Sequence, residues 1–332
     1  MQSQRRVLSG NRPTGKLHWG NYFGALKNWV DIQDDYECFY FIADWHSLTT
    51  GYEESGEIFP LMEEILKDWI ACGLDPKKST IFVQSWVPEH AELHLLLSMI
   101  TPLGWLERVP SFKDMQQQLS DKDLSTYGFL GYPLLQAADI LIYKAHFVPV
   151  GEDQIAHLEF ARELVRRFHF IMKREVFIEP KPLLTESARV PGIDGRKMSK
   201  SFGNAIYISD DEDEIRKKMM QAITDPARKR RDDPGDPSVC NIFAYHKLFT
   251  DADAVGGVAS KCRGAEIGCV DCKKMCIENA HKFWKPIRER RDSWSGREGE
   301  LLNLAREGSA RARKVACEVM QQVREAIKIN YK

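Results

Sequence analysis

Lys197-Met198-Ser199-Lys200-Ser201 sets two ammonium groups three residues apart, with hydroxyls beside them and Gly192, Gly195 and Gly203 around them. A loop of this make-up can fold over a polyphosphate and neutralise the charge that grows as a phosphate bond breaks. Taken alone, such a turn reads first as a solvated basic surface. A second segment, Arg12-Pro13-Thr14-Gly15-Lys16-Leu17-His18-Trp19-Gly20-Asn21, stands about 180 residues earlier and changes the weighing. It follows the apolar strand Val7-Leu8 and a Ser9-Gly10 turn, and precedes a helical pattern (Tyr22, Phe23, Leu26, Trp29, Val30) that runs to about Asp34. Strand, glycine-bearing turn and helix start together make a cradle whose backbone N–H groups and helix dipole favour phosphate. Gly20 leaves room for a flat adenine against the backbone. His18 offers a donor that can follow an α-phosphate into its transition state.

The elements that must carry these segments are legible in the first half of the chain. Val7–Ser9, Cys38–Ile42, Thr80–Gln84 and Phe147–Val150 are candidate strands. Ile58, Leu61, Met62, Ile65, Leu66, Trp69 and Ile70 keep a helical spacing that Gly73 ends, and Ile155, Leu158, Ala161, Leu164, Val165 and Phe168 form a second such face. This alternation predicts an α/β fold: a Rossmann-type parallel sheet with helices on both faces and ligands at the carboxyl ends of the strands. From Asp210 onward the chain reads as helical. Asp210-Asp211-Glu212-Asp213 caps one helix, Val315, Val319, Met320, Val323, Ala326 and Ile327 mark a long amphipathic one, and Pro226, Pro234 and Pro237 lie in the connections. The expected division is a catalytic domain over 1–206 and an all-helical domain over 207–332, whose last helix packs back on the first.

With 332 residues, 43% hydrophobic and 29% charged, the chain is long enough for one large or two moderate cores. No apolar run approaches the roughly 20 residues of a membrane span, and the start leads straight into a strand without a signal peptide, so the expected location is cytoplasmic. Net charge is −1, which excludes a generally basic nucleic-acid binder. Residues 207–332 hold 25 Lys and Arg against 21 Asp and Glu, so an RNA partner is expected on that side. The densest patch, Arg228-Lys229-Arg230-Arg231, is followed at once by Asp232 and Asp233 and suits a self-paired turn as well as a phosphate contact.

Cys240, Cys262, Cys269 and Cys272 are separated by 21, 6 and 2 residues, with Cys276 four further on. Four thiols including a Cys-x-x-Cys in a cytoplasmic chain point to a metal site and not to disulfides. Four sulfurs suit either Zn²⁺ or an iron–sulfur cluster, and spacing alone puts zinc first. Cys38, Cys72 and Cys317 sit in apolar patterns and are expected to be buried.

The Lys197–Ser201 loop and the His18-Trp19-Gly20-Asn21 turn resemble the two signature sequences of class I aminoacyl-tRNA synthetases. Asn21 is a familiar variant in the tryptophanyl members; Trp19 departs from the usual small aliphatic. Tyr132-Pro133-Leu134-Leu135-Gln136-Ala137-Ala138-Asp139-Ile140-Leu141, Val148-Pro149-Val150-Gly151-Glu152-Asp153-Gln154 and Thr224-Asp225-Pro226-Ala227-Arg228 also look like segments of bacterial-type tryptophanyl-tRNA synthetases. With the signatures they cover the chain almost end to end. The cysteine pattern is similar to that of a subgroup with a [4Fe–4S] cluster, which reverses the preference for zinc.

The resemblance implies ATP-dependent activation of L-tryptophan and its transfer to tRNA(Trp), with Mg²⁺ on the phosphates and a homodimer as the assembly. It implies that Arg12, Pro13, Thr14, Gly20 and Asn21 contact ATP, that Gly151, Glu152 and Asp153 meet its ribose, and that Val190 lies along adenine. His18 would stabilise the α-phosphoryl group, Lys197 and Lys200 would hold the outer phosphates with Met198, Ser199 and Ser201 shaping the loop, and Lys113 would face pyrophosphate. Asp139, on an otherwise apolar helix, would accept the indole N–H, a donor-only group that suits a carboxylate. Tyr132, Gln136 and Gln154 would complete the amino-acid pocket. A tyrosyl enzyme is the nearest competitor, but Leu8-Ser9-Gly10 lacks the hydroxyl that such enzymes carry in the first strand. A non-aminoacylating, RNA-binding paralogue with a metal cluster is the alternative from a different class.

Overall fold

A computed structural model describes residues 4–109, 125–151, 155–184 and 189–329. Its centre is a sheet of five parallel strands, β1 (Arg6–Asn11), β2 (Glu37–Ile42), β3 (Ser79–Val83), β4 (Phe147–Val150) and β5 (Lys181–Leu184), in the order β3-β2-β1-β4-β5. Successive side chains point to opposite faces, and both faces are apolar. Val7, Cys38, Tyr40, Ile42, Ile81 and Val83 enter one core, while Leu8, Phe39, Phe41 and Phe82 enter the other. The chain runs outward from β1 to β3 and then crosses to β4 on the other side of β1. The switch point therefore lies between β1 and β4, where a crevice opens at the carboxyl ends.

Sequence and structure differ in detail. Ser9 and Gly10 belong to β1 and form no turn. A Cβ at Gly10 would come within 2.7 Å of the Phe41 ring, so this glycine allows close packing between paired strands. Strand β3 stops at Val83, and Gln84 opens a single 3₁₀ turn. Strand β5 escaped the sequence reading because it is a short edge strand with Pro182 inside it and little apolar patterning.

The helices that matter here are α1 (Trp19–Asn21), α2 (Lys27–Ile32), α3 (Asp44–Gly51), α4 (Ile58–Cys72), α5 (Glu89–Ser98), α6 (Tyr132–Leu141), α7 (Ile155–Met172), α8 (Glu212–Gln221), α9 (Asn241–Phe249), α10 (Ala252–Arg263), α11 (Cys269–Asp292) and α12 (Glu298–Ala326). A π-helical turn, Tyr22–Leu26, joins α1 to α2. Helix α4 ends at Gly73 with φ +113°, a left-handed stop that glycine takes without strain. Asp211 caps α8 by accepting the N–H of Glu214 at 2.8 Å.

The last helix lies against the edge strand β3. A Cβ at Gly308 would sit 1.8 Å from the Ile81 carbonyl oxygen, so only glycine permits this crossing. Ser309 Oγ accepts the outward N–H of Val83 at 3.2 Å and donates to Ala305 O, which covers an edge otherwise open to pairing. Ala312, Ala316, Val319, Met320 and Val323 of α12 share a core with strand residues of the N-terminal half. Helix α11 is tied to α4 by Arg291, which donates to the buried Asp68 at 2.7 Å and also pairs with Glu64. Apolar packing thus runs continuously across residues 206 and 207. Among the described residues no helix is long and apolar enough to cross a membrane.

Candidate active site

The turn after β1 and the distant lysine loop meet. Segment 206–208 runs antiparallel to residues 17–19: Trp19 N–H donates to Ile206 O and Ile208 N–H to Leu17 O, both at 2.9 Å, with His18 bridged to Tyr207. Lys200 Nζ donates to Thr14 O at 2.8 Å, and a Cβ at Gly15 would come within 2.6 Å of the Lys200 side chain. Arg12, Thr14, Lys197, Lys200 and Ser201 are exposed, so the cationic groups are open to solvent; Pro13, Val190 and Met198 are buried.

Local sequence explains how the loop is held. Pro191 and Lys197 form an antiparallel bridge, Gly192 N–H donates to Arg196 O at 2.7 Å, and Gly195 turns the chain with φ +85°. Asn204, only 2% exposed, clasps the loop from inside: its Oδ1 accepts the Ser199 N–H at 2.8 Å and its Nδ2 donates to Asp194 at 2.7 Å. A Cβ at Gly192 would strike the Asn204 amide at 2.3 Å, so the glycine is required by the clasp.

His18 N-caps α1 in a reciprocal box. Its Nδ1 accepts the Asn21 N–H at 3.2 Å, and Asn21 Oδ1 accepts the His18 N–H at 2.9 Å. An accepting Nδ1 leaves the proton on Nε2. Burial, with the Lys197 charge second, pushes the imidazole down to about 4. His18 is therefore a neutral donor at pH 7, and Asn21 is committed in part to orienting it. Gly20 is needed for a reason the sequence did not reveal: a Cβ there would press on the His18 ring at 2.9 Å. Trp19 is fully buried, stacked on Trp284 at 5.7 Å between ring centroids and edge-on to Tyr245 and Phe249. The departure from a small aliphatic is thus an aromatic anchor between the turn and the helical half.

Asp139 lies 1% exposed on α6, at the centre of a polar network. Gln84 Nε2 donates to both its oxygens at 2.9 Å, His46 Nε2 to Oδ2 at 2.9 Å and His90 Nδ1 to Oδ1 at 2.6 Å. The Tyr143 O–H completes the chain by donating to His90 Nε2 at 2.7 Å. Burial alone would raise the Asp139 carboxyl, but His90 and the hydrogen bonds hold it below the usual carboxylate range. The sequence points to an indole N–H for this carboxylate; the fold adds three internal donors, His46, Gln84 and His90. His46, Gln84 and His90 escaped notice although they follow the carboxyl ends of β2 and β3, where the switch-point rule directs attention. Tyr132 is buried against Phe129 and His157, Gln136 is half-buried one turn before Asp139, and half-buried Gly151 follows β4 directly. Lys113, Glu152, Asp153 and Gln154 lie outside the described residues.

The four spaced cysteines sit at the cap of α9 (Cys240), in α10 (Cys262) and in the first turn of α11 (Cys269, Cys272). Burial and then the neighbouring Cys240, Cys262 and Cys269 push the Cys272 thiol up to about 12. Four thiols are the donor type that a thiolate metal centre uses. Among the described residues no set of three or more Cys, His, Asp or Glu side chains stands in metal-holding geometry. Arg228 turns inward, 3.9 Å from Cys262 Sγ, and Asp233 accepts the backbone N–H groups of Lys229 and Arg230, which shapes the turn while the Lys229, Arg230 and Arg231 residues stay exposed. Cys276 is fully buried with its thiol near Ile242 O, in the manner of a core side chain. Cys38 and Cys72 are buried, but Cys317 is exposed and donates to Glu89 at 3.2 Å. One position beyond Ala316 carries it off the buried stripe of α12.

The chain is similar in sequence to tryptophan–tRNA ligases of Thermotoga maritima (48% identity, 98% of this chain and 100% of the relative) and Ralstonia nicotianae (44% identity, 98% and 99%). In fold it matches the crystal structure of tryptophanyl-tRNA synthetase from Campylobacter jejuni complexed with ADP and tryptophan, with a TM-score of 0.88 and 35% identity over 97% of this chain and 99% of that one. A family model described as class I tRNA synthetases (W and Y) matches residues 1–285. With its two signature segments folded onto each other at the mouth of the sheet, the chain belongs to the class I aminoacyl-tRNA synthetase family of the tryptophan and tyrosine enzymes.

Proposed function

We propose that the chain is a tryptophan–tRNA ligase. The carboxylate of L-tryptophan attacks the α-phosphorus of ATP, pyrophosphate leaves, and the adenylate then esterifies the 2′-hydroxyl of the terminal ribose of tRNA(Trp). The observation that carries this reading is the Lys200 ammonium on the carbonyl oxygen of Thr14, with Lys197 close enough to depress His18. Both signature segments then serve one triphosphate.

The first step needs no general base, because an α-carboxyl with a pKa of about 3.5 is already ionised at neutral pH. It needs alignment and neutralisation of the leaving phosphates. Lys197 and Lys200 supply positive charge to the outer phosphates, on a loop shaped by Met198, Ser199 and Ser201. Neutral His18 directs its Nε2–H at the α-phosphoryl oxygens. Arg12, Pro13, Thr14, Gly20 and Asn21 line the nucleotide, Val190 backs the adenine, and Gly151 with Glu152 and Asp153 takes the ribose. Lys113 faces pyrophosphate. Mg²⁺ supplies further charge neutralisation when bound, held mainly by phosphate oxygens and water, which suits an ion that keeps its hydration shell. Asp139 reads the indole N–H, which enters in place of His46 or of one leg of the shared Gln84 bond. Tyr132, Gln136 and Gln154 complete the amino-acid pocket, and residues 207–332 contribute the helical surface for tRNA in a homodimer.

Tryptophan-dependent exchange of radiolabelled pyrophosphate into ATP tests the reading directly. Exchange is expected with tryptophan and not with tyrosine. Exchange with tyrosine alone would place the chain with the tyrosine enzymes, and none with either would leave an RNA-binding paralogue.

In the finer reading, Cys240, Cys262, Cys269 and Cys272 hold a [4Fe–4S] cluster, with Zn²⁺ as the alternative at the same thiolates. It would staple α9, α10 and α11 together, a small helical region with a limited core of its own. Exposed Lys261, Arg263 and Lys274 lie near it and suit contact with RNA; Lys273 is engaged with the carbonyls of Met220 and Ala222. Protein purified without oxygen is expected to be brown, absorbing broadly near about 400 nm, with iron and sulfide in equal amounts. Colourless protein with one zinc per chain would remove the cluster.

A further inference from the structure

Helix α9 belongs to the helical half, yet it touches the base of the lysine loop and the His18 turn. Asn241 at its first turn is 6% exposed, and its Nδ2 donates to Gly192 O at 2.7 Å. One turn later the Tyr245 O–H donates to Pro191 O at 2.8 Å. These two carbonyls stand at the base of the lysine loop, directly before the turn that leads to Lys197. The loop backbone is held from below by a second contact between the halves: Ile223 N–H donates to Ile193 O at 2.9 Å. A Cβ at Gly195 would fall 2.7 Å from Ile223 and 3.6 Å from Asn241 Oδ1, so the turn itself is moulded to this surface.

The same tyrosine reaches the other signature. Its ring, buried with its helix neighbour Ile242, meets Trp19 edge-on at 5.7 Å, and Phe249 at the far end of α9 meets Trp19 at 4.9 Å. Trp19 is the residue directly after His18. A single nine-residue helix therefore grips the lysine loop through two hydrogen bonds and the His18 turn through aromatic packing. Two buried donors from one rigid element onto two adjacent carbonyls define a position more tightly than a surface loop can define its own. Side-chain packing alone would not need the Asn241 amide; an apolar residue would fill that place at lower cost.

We propose that Asn241 and Tyr245 are positioning residues for the activation step: they set the lysine loop, and with it Lys197 and Lys200, at a fixed distance from His18. They touch no substrate and act through the loop backbone. The inference rests on the reading of that loop as the holder of the triphosphate.

The experiment compares Asn241→Ala, Asn241→Asp and Tyr245→Phe in pyrophosphate exchange at saturating tryptophan, with tryptophan binding in the absence of ATP measured by equilibrium dialysis. kcat/KM for ATP is expected to fall about 10-fold or more for both Asn241 variants, and about 3-fold for Tyr245→Phe, as for loss of a buried hydrogen bond. The dissociation constant for tryptophan is expected to stay within twofold. Asn241→Asp keeps the shape and removes the donor, so it should match Asn241→Ala; full activity in Asn241→Asp overturns the role assigned to the amide. Tyr245→Phe keeps the ring on Trp19 and loses only the hydroxyl, so it decides the matter where an Asn241 variant fails to fold. Loss of tryptophan binding in step with loss of ATP-dependent rate would mark a merely structural role and overturn the inference. Lys200→Ala serves as the control for the underlying reading. If it leaves exchange intact, the loop assignment falls; if it abolishes exchange while the α9 variants remain normal, only the positioning role falls.

Discussion

Replacing Lys200 with alanine is expected to lower kcat/KM for ATP in pyrophosphate exchange by about two to three orders of magnitude, the scale of losing one preorganised charge at a developing anion. This ammonium donates to the Thr14 carbonyl, a neutral acceptor that a phosphate oxygen readily outcompetes. The side chain is exposed and anchors no core, so the midpoint of thermal unfolding should change by no more than about 2 °C. Tryptophan binding without ATP should be unaffected. Arginine should rescue poorly, because its rigid fork does not replace a compact point charge at the end of a flexible stem. An alanine variant that exchanges normally would show that the loop serves some other purpose.

Substitution of Asp139 is expected to act on the amino acid and not on the nucleotide. Asp139→Ala should lower kcat/KM for tryptophan by about two orders of magnitude or more, which corresponds to about 2.7 kcal/mol. Part of that loss is the missing acceptor for the indole N–H. The rest arises because His46, Gln84 and His90 all aim their donors at the removed carboxylate. Left without it they would be buried and unpaired, which also lowers stability by a few kcal/mol. The isosteric Asp139→Asn separates the two effects. It fills the same volume but turns one oxygen into a donor facing other donors. A tryptophan analogue with sulfur in place of the indole N–H provides the discriminating readout. The native enzyme should reject it, whereas Asp139→Asn should accept the two amino acids more nearly equally. Unchanged discrimination in that variant would remove Asp139 from recognition of the ring nitrogen.

The internal donors also alter how specificity operates. An isolated buried carboxylate would be stranded by any side chain lacking an N–H, and rejection would come from that penalty. Here His46, Gln84 and His90 donate to the carboxylate, so on the proposed reading an indole N–H competes with His46 or Gln84 for an oxygen. The discrimination is then the difference between two hydrogen bonds, smaller than the full cost of an unpaired charge. The network also keeps Asp139 ionised and fixed in one rotamer, with His90 in turn oriented by Tyr143.

Much of this was readable along the chain because it depends on local patterns. Short apolar runs mark four of the five strands, and the period-3.6 spacing of apolar residues marks helix α4 with its stop at Gly73, helix α7, and the later part of α12. The chemical content of Lys197–Ser201 and of Arg12–Asn21 is equally local, since residue types and spacing dictate which charges and donors a segment can present. What no local pattern carries is who meets whom. Strand β5 lacks apolar alternation because an edge strand packs less. The requirement for glycine at 20, 192 and 308 comes from His18, Asn204 and the backbone of β3, and the last two of these contacts are made by the fold alone. The donors around Asp139 come from three separate elements, 93, 55 and 49 residues away along the chain. Asn241 and Tyr245 read as ordinary helix residues until α9 is laid under the lysine loop. Sequence by itself determined the reactive groups and the elements that bear them, because covalent order sets both. Only the tertiary structure decided their partners, because burial brings distant polar groups together and obliges each to find its complement.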